Sequence, residues 1–238
     1  MQDMGTWMPS DGSFESWKKA QGLDEPKESK TIRYFCGVDL GKRHDNSTVC
    51  ICEQIKGSEG ESHYYVRLLK RFPIQSRYTA IAKALAKMDS QLKDHGAKKG
   101  KVAEITYILD STGVGEAVTE LVEKNMPYAD IVKCYLTGGI NTNIDEWSKE
   151  VHLPKSQMVS NLVALFDAGQ ISLTKKSKEI DAMLEELQNY EIRVSSEGRD
   201  QYGAFAGGAY DDLVTSLALA VWAGEQDQYQ PIEMWGGY

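Results

Sequence analysis

In Tyr34-Phe-Cys-Gly-Val-Asp39-Leu-Gly41, an apolar and aromatic run ends on a carboxylate, with a glycine two residues later. A short apolar run bounded by turn residues predicts a strand, here residues 32–39, with Asp39 left at the end of the sheet. Two more such runs, 48–54 and 63–72, follow across short polar links, which predicts an antiparallel meander. The pattern then changes. Ser76 is placed to cap a helix running to about residue 92, with Ile81, Leu85 and Met88 on one face. A basic loop is expected over 93–101, a buried strand over 105–110, a helix over 115–125 carrying Val118, Leu121 and Val122, and another buried strand over 131–136. Strand, helix, strand in that order implies parallel pairing with a right-handed crossover.

The remainder alternates a polar loop (137–153), a helix (155–168), a short strand (171–173), a helix (178–189), a hairpin whose strands are 190–194 and 202–205, and a strongly apolar closing helix (211–224). The expected fold class is α/β: a mixed five-stranded sheet with helices on both faces, plus a β-hairpin insertion. The domain is expected over residues 31–226. A flexible tail or linker (1–30, with Trp7 and Trp17) precedes it, and a C-terminal tail (227–238) follows.

Composition narrows the function. Apolar residues make up 41% of 238, enough for a core, and no apolar run is long enough to cross a bilayer. The N-terminal residues lack the apolar centre of a secretory signal, so a cytoplasmic protein is expected. Cys36, Cys50, Cys52 and Cys134 form no Cys-x-x-Cys pair and are expected as reduced core residues. His44, His63, His95 and His152 are scattered, which excludes a zinc-ligand spacing. No Gly-x-x-x-x-Gly-Lys-Ser/Thr occurs, so no phosphate-binding loop of that type is present. Gly113-Val-Gly115 lacks the third glycine of a dinucleotide fingerprint and is expected to be a tight turn into a helix.

Three acidic positions stand out: Asp39 and Asp110, each at the end of a strand, and the pair Asp211-Asp212 opening the last helix. Singly, each is an ordinary turn former or helix cap. Together they converge, provided the strands of Asp39 and Asp110 are parallel neighbours, because both carboxylates then emerge at the sheet edge where ligands bind in open α/β folds. Clustered carboxylates repel one another. Hard divalent ions relieve that repulsion, and Mg²⁺ or Mn²⁺ suits a set of carboxylate, phosphate and water ligands. Two such ions support phosphodiester hydrolysis.

These residues also resemble a known family. Gly37-Val-Asp39-Leu-Gly41 with Asp45-Asn-Ser47, Leu109-Asp110-Ser-Thr-Gly113-Val-Gly115, and Tyr210-Asp211-Asp212-Leu-Val-Thr-Ser-Leu-Ala-Leu-Ala220 are similar to the nuclease domain of tailed-phage large terminases. So are Lys155-Ser-Gln-Met-Val-Ser-Asn-Leu-Val-Ala-Leu-Phe166 and Gly169-Gln-Ile-Ser-Leu173. The resemblance covers about residues 33–224 and implies a ribonuclease H-like fold. It implies a metal-dependent endonuclease that cuts concatemeric double-stranded DNA during genome packaging in the host cytoplasm. It implies partners as well: a packaging ATPase domain, the small terminase subunit and the portal protein. By motif, Asp39, Asp110 and Asp212 would be catalytic metal ligands, with Asp211 an additional one. Asp45 is either a turn former or a group near the second ion.

The net charge of −8 opposes DNA binding, whose affinity rests on phosphate neutralisation. Local basic residues must then carry the contact, and Lys42, Arg43, Lys155 and Arg199 are the candidates. The polar hairpin tip around 195–201 is expected to border the groove and gate DNA entry. Two other functions share these features: another ribonuclease H-like nuclease of junction-resolvase or integrase type, and a motor-docking domain with a silent site.

Overall fold

The structure is a computed structural model that describes residues 30–41, 45–57, 60–113, 116–173, 177–194, 200–203 and 211–226, with the backbone alone described at 191–194 and 200–203. The expected tails, Trp7, Trp17, His44, Lys42, Arg43, Gly115, Arg199 and the hairpin tip 195–199 lie outside the described residues.

Strands β1 (Thr31–Asp39), β2 (Thr48–Lys56) and β3 (Ser62–Arg71) form the antiparallel meander, with Asp39 opposite Thr48. On the other side of β1 lies β4 (Val102–Asp110), in parallel register, and then β5 (Asp130–Thr137), parallel to β4. These five are the expected sheet. Three short strands extend it: β6 (Asn143–Asp145) and β7 (Glu150–Pro154) beyond β5, and β8 (Ile171–Ser172) beside β3. The order is β6-β7-β5-β4-β1-β2-β3-β8. A separate hairpin pairs β9 (Glu191–Val194) with β10 (Asp200–Gly203).

Strand alternation sorts the core into two layers. Ile32, Tyr34, Cys36 and Val38 of β1 pack with α1 (Tyr78–Lys98) and α2 (Glu116–Asn125). Phe35 of β1, Ile108 of β4 and Cys134 of β5 pack with α3 (Lys155–Asp167), α4 (Lys178–Gln188) and α5 (Asp212–Glu225). All four cysteines are buried and free. No described helix is long and apolar enough to cross a membrane.

Helix α5 is apolar on every side, and each residue from Asp212 to Gly224 is buried, as expected of a helix enclosed by the core. It lies directly on β1 because Gly37 has no side chain. A Cβ there would sit 2.0 Å from the Ser216 carbonyl oxygen and 2.7 Å from the Ala220 nitrogen.

Three expectations fail for identifiable reasons. The basic segment expected as a loop continues α1 to Lys98, where His95 and Lys98 occupy the last turn. Cations there meet the negative end of the helix dipole, and Lys93 pairs with Asp89 one turn back at 2.8 Å. Ser76 donates to the Pro73 carbonyl, and the N-cap is Arg77, without a side-chain cap. The segment expected as a polar loop (137–153) contains β6 and β7. Their turn is held locally, since Asp145 Oδ1 accepts from the backbone nitrogens of Trp147 and Ser148 at 3.0 and 3.2 Å, an arrangement typical of Asx turns.

Replacing Gly37 by Ala is expected to push α5 away from β1 and to destabilise the domain by about 2–3 kcal/mol, the upper range for overpacking a core. Urea denaturation measures this, and an unchanged midpoint would refute the close approach.

Candidate active site

Asp39 and Asp110 are register partners across the parallel β1–β4 pair, and both are the last residues of their strands. Parity points them to one side. Asp39 shares its face of β1 with Phe35 and Gly37, Asp110 shares its face of β4 with Ile108, and Phe35 and Ile108 both pack on the α5 layer. Gly37, two residues before Asp39, lets α5 approach that end of β1. Helix α5 begins there, with Asp211 at its N-cap and Asp212 in its first turn.

Each acidic segment is anchored. Asp110 Oδ1 accepts from the Thr112 nitrogen at 2.8 Å, and Thr112 Oγ1 accepts from the Leu136 nitrogen at 2.7 Å, tying this turn to β5. Thr48 Oγ1, at the start of β2, donates to the Asp212 carbonyl at 2.7 Å. Lys155, the first residue of α3, is delivered by β7, and its Nζ lies 2.9 Å from Asp211 Oδ2.

The carboxylates act on one another. Burial raises the Asp39 pKa well above the usual carboxylate range, and the charges of Asp110, Asp212 and Asp211 raise it further, with Lys155 opposing. Burial likewise raises Asp110, against its hydrogen bonds from Thr112 and the charge of Lys155. Asp212 is pushed up to about 7, first by burial, then by Glu186 and Asp211, with Arg71 opposing and Asp45 adding a smaller push. Groups whose neutral form is favoured in this way gain most from a cation supplied at the site.

The donor set of carboxylate oxygens fits a hard divalent ion. Asp212 Oδ2 is buried and has no hydrogen-bond partner among the described residues, so a positive ligand would satisfy it. As arranged, no three of the described His, Cys, Asp and Glu side chains are grouped to enclose one ion. A cavity of about 200 Å³, lined by Arg33, Glu104 and Asp130 among others, opens beside the first halves of β1 and β4, away from the acids.

Of the sequence candidates, the structure brings Asp39, Asp110, Asp211, Asp212 and Lys155 together, with Asp45 within electrostatic range of Asp212. Two contributors escaped the sequence. Glu186 of α4 is buried, and its Oε2 accepts from the first free amides of α5, Leu213 N at 2.9 Å and Val214 N at 3.2 Å. Its Oε1 pairs with Arg71 Nη2 at the end of β3. A carboxylate at a helix N-terminus satisfies orphan amides and meets the dipole favourably. Here it comes from another helix and fixes where Asp211 and Asp212 stand. The available signal was an acid in phase with the buried positions Ile180 and Met183 of α4.

Comparison with known proteins bears on the family and the fold. Residues 36–203 match the family described as Terminase RNaseH-like domain. The terminase large subunit of Thermus phage G20c is 26% identical over 188 residues, 79% of this chain and 31% of that protein. The chain thus spans about a third of the length of that relative. Among solved structures, the large terminase nuclease of phage G20c with bound cobalt has a TM-score of 0.54 at 22% identity, covering 79% of this chain and 80% of that one. The human cytomegalovirus terminase nuclease domain, Mn soaked, has a TM-score of 0.51 at 14% identity, covering 83% and 84%.

Arg71→Met leaves the buried Glu186 charge without its guanidinium. It is expected to cost about 3 kcal/mol, the lower end for breaking a buried pair. The double variant Arg71→Met/Glu186→Leu should recover part of that loss. Chemical denaturation of the four proteins in this cycle gives the coupling, and strictly additive costs would show that the pair does not brace α5.

Proposed function

The chain belongs to the family of terminase RNaseH-like domains, and on that premise we propose that it is a metal-dependent endonuclease cutting double-stranded concatemeric DNA during viral genome packaging. The observation that carries this function is the register match of Asp39 with Asp110 beneath a helix that opens on Asp211-Asp212. The cobalt-bound and Mn-soaked states of the two viral nuclease domains that share this fold support a divalent-ion requirement.

In this function Asp39, Asp110 and Asp212 would hold the ions, with Asp211 as an additional ligand and Asp45, close enough to act on Asp212, as a further candidate. Two Mg²⁺ or Mn²⁺ ions, when bound, supply an activated water and charge stabilisation for the leaving oxygen. The chain's own work is positioning. The β1–β4 register fixes two carboxylates, Thr112 fixes the rotamer of Asp110, and Glu186 with Arg71 fixes the start of α5. Lys42, Arg43, Lys155 and Arg199 are assigned to the DNA backbone, where positive side chains set register without reading sequence. A packaging ATPase domain, the small terminase subunit and the portal protein are the proposed partners, in the host cytoplasm.

The test is cleavage of supercoiled and linear plasmid by this chain with Mg²⁺, with Mn²⁺ and with EDTA. Cutting is expected with either ion and not with EDTA. Asp39→Asn, Asp110→Asn and Asp212→Asn should each lower it at least about 100-fold, the scale seen when stabilisation of developing charge is removed. Preference for branched DNA would favour a junction resolvase, and no cutting under any condition would favour a docking domain.

A further inference from the structure

We propose that Lys155 is a resident counter-ion of the acidic centre, one that yields Asp211 to divalent ions and then takes hold of a DNA phosphate. The proposal rests on the nuclease function above and goes beyond a simple DNA contact.

Three observations carry it. First, Lys155 Nζ lies 2.9 Å from Asp211 Oδ2, and both side chains are about a quarter exposed (26% each), so the pair sits at the rim where solvent ions reach it. Its charge also opposes those of Asp39 and Asp110, so this one ammonium serves three carboxylates.

Second, the position is wrong for helix stability. Lys155 is the first residue of α3, whose first turn has no acid and whose N-cap, Pro154, offers no side-chain cap. A cation there faces the positive end of the dipole. Helix formation therefore does not account for this lysine, whereas the acids across from it do.

Third, the side chain has a second place to rest. Its ammonium lies over the Tyr190 ring, 6.0 Å from the centre, and the lysine stem is long, with freely rotating donors that can turn from Asp211. The start of α3 beside it has no side-chain cap from Pro154 and no acid in its first turn, and the positive end of a helix dipole favours an anion.

A dication and an ammonium compete for the same Asp211 oxygen. When ions enter, the ammonium becomes surplus positive charge at the edge of the site, next to a helix end that attracts phosphate. Metal binding and DNA engagement are then coupled through one side chain. A merely structural ion pair would show no such coupling.

The experiment compares the wild-type chain with Lys155→Met and Lys155→Arg, each checked for unchanged thermal unfolding. Mn²⁺ binding is measured by titration calorimetry without DNA, and single-turnover plasmid cutting is measured at saturating Mn²⁺. Lys155→Met should bind Mn²⁺ roughly tenfold tighter, since a neighbouring charge moves such equilibria by an order of magnitude or more. It should also cut more slowly at saturation. Lys155→Arg should keep wild-type Mn²⁺ affinity and recover part of the cutting. Unchanged or weaker Mn²⁺ binding by Lys155→Met overturns the proposal, and so does tighter binding with unaltered cutting. If the wild-type chain binds no Mn²⁺ and Asp39→Asn alters nothing, the nuclease function itself fails, and the proposal with it.

Discussion

Repulsion among the carboxylates at the end of β1 is the constraint to which the rest of the domain answers. Two unit charges about 4 Å apart cost about 1 kcal/mol in bulk water but about 4 kcal/mol in the partly shielded surroundings of a protein surface. Burial is the larger cause that disfavours the charged forms of Asp39, Asp110 and Asp212, and repulsion from neighbouring acids adds to it. A chain free to relax would separate them. This one is prevented by three independent attachments: the β1–β4 register, the Thr112 turn, and the packing of α5.

The last of these is the strongest. Burying a large apolar side chain is worth about 1.5–3 kcal/mol, and α5 buries Leu213, Val214, Leu217, Leu219, Val221 and Trp222 along its length. That burial exceeds the repulsion at its first turn, so the helix carries Asp212 into a place the charge alone would forbid. The cost is also moderated by cations on two sides. Lys155 faces Asp211 from α3, and Arg71 faces Asp212 through Glu186. The placement is specific because the residues that supply stability and those that oppose it lie on the same helix.

Much of this was legible in the sequence, because period and position are local signals. An apolar run ending on an acid gave both strands, the strand-helix-strand order gave the parallel pairing of β4 with β5, and the meeting of Asp39 and Asp110 rested on a condition the structure meets, that β1 and β4 are parallel neighbours. The unbroken apolar character of 213–224 marked the buried helix. What was hidden depends on contacts distant in the chain. Strand β7 has only two buried apolar residues beyond its proline, Val151 and Leu153, too few to signal a strand without the β5 edge they cover. Glu186 differs from any surface acid only through Arg71, 115 positions away, and through the amides of a helix that comes later still. The basic end of α1 resembled a loop in composition, although cations are what the last turn of a helix favours.

The overall charge of −8 fits the same physics. A strongly basic nuclease would hold any DNA it met, since each neutralised phosphate releases counterions and adds affinity whatever the sequence. On the proposed function, the acidic centre of such a chain repels DNA until cations fill it, and the ions that would serve the chemistry would also be needed to admit the substrate. Lys155 sharpens this dependence, because its ammonium is engaged by Asp211 until something better balances that carboxylate. On the proposed coupling, local positive charge appears at the rim once the centre is loaded, so that ions and DNA would be required together for cutting.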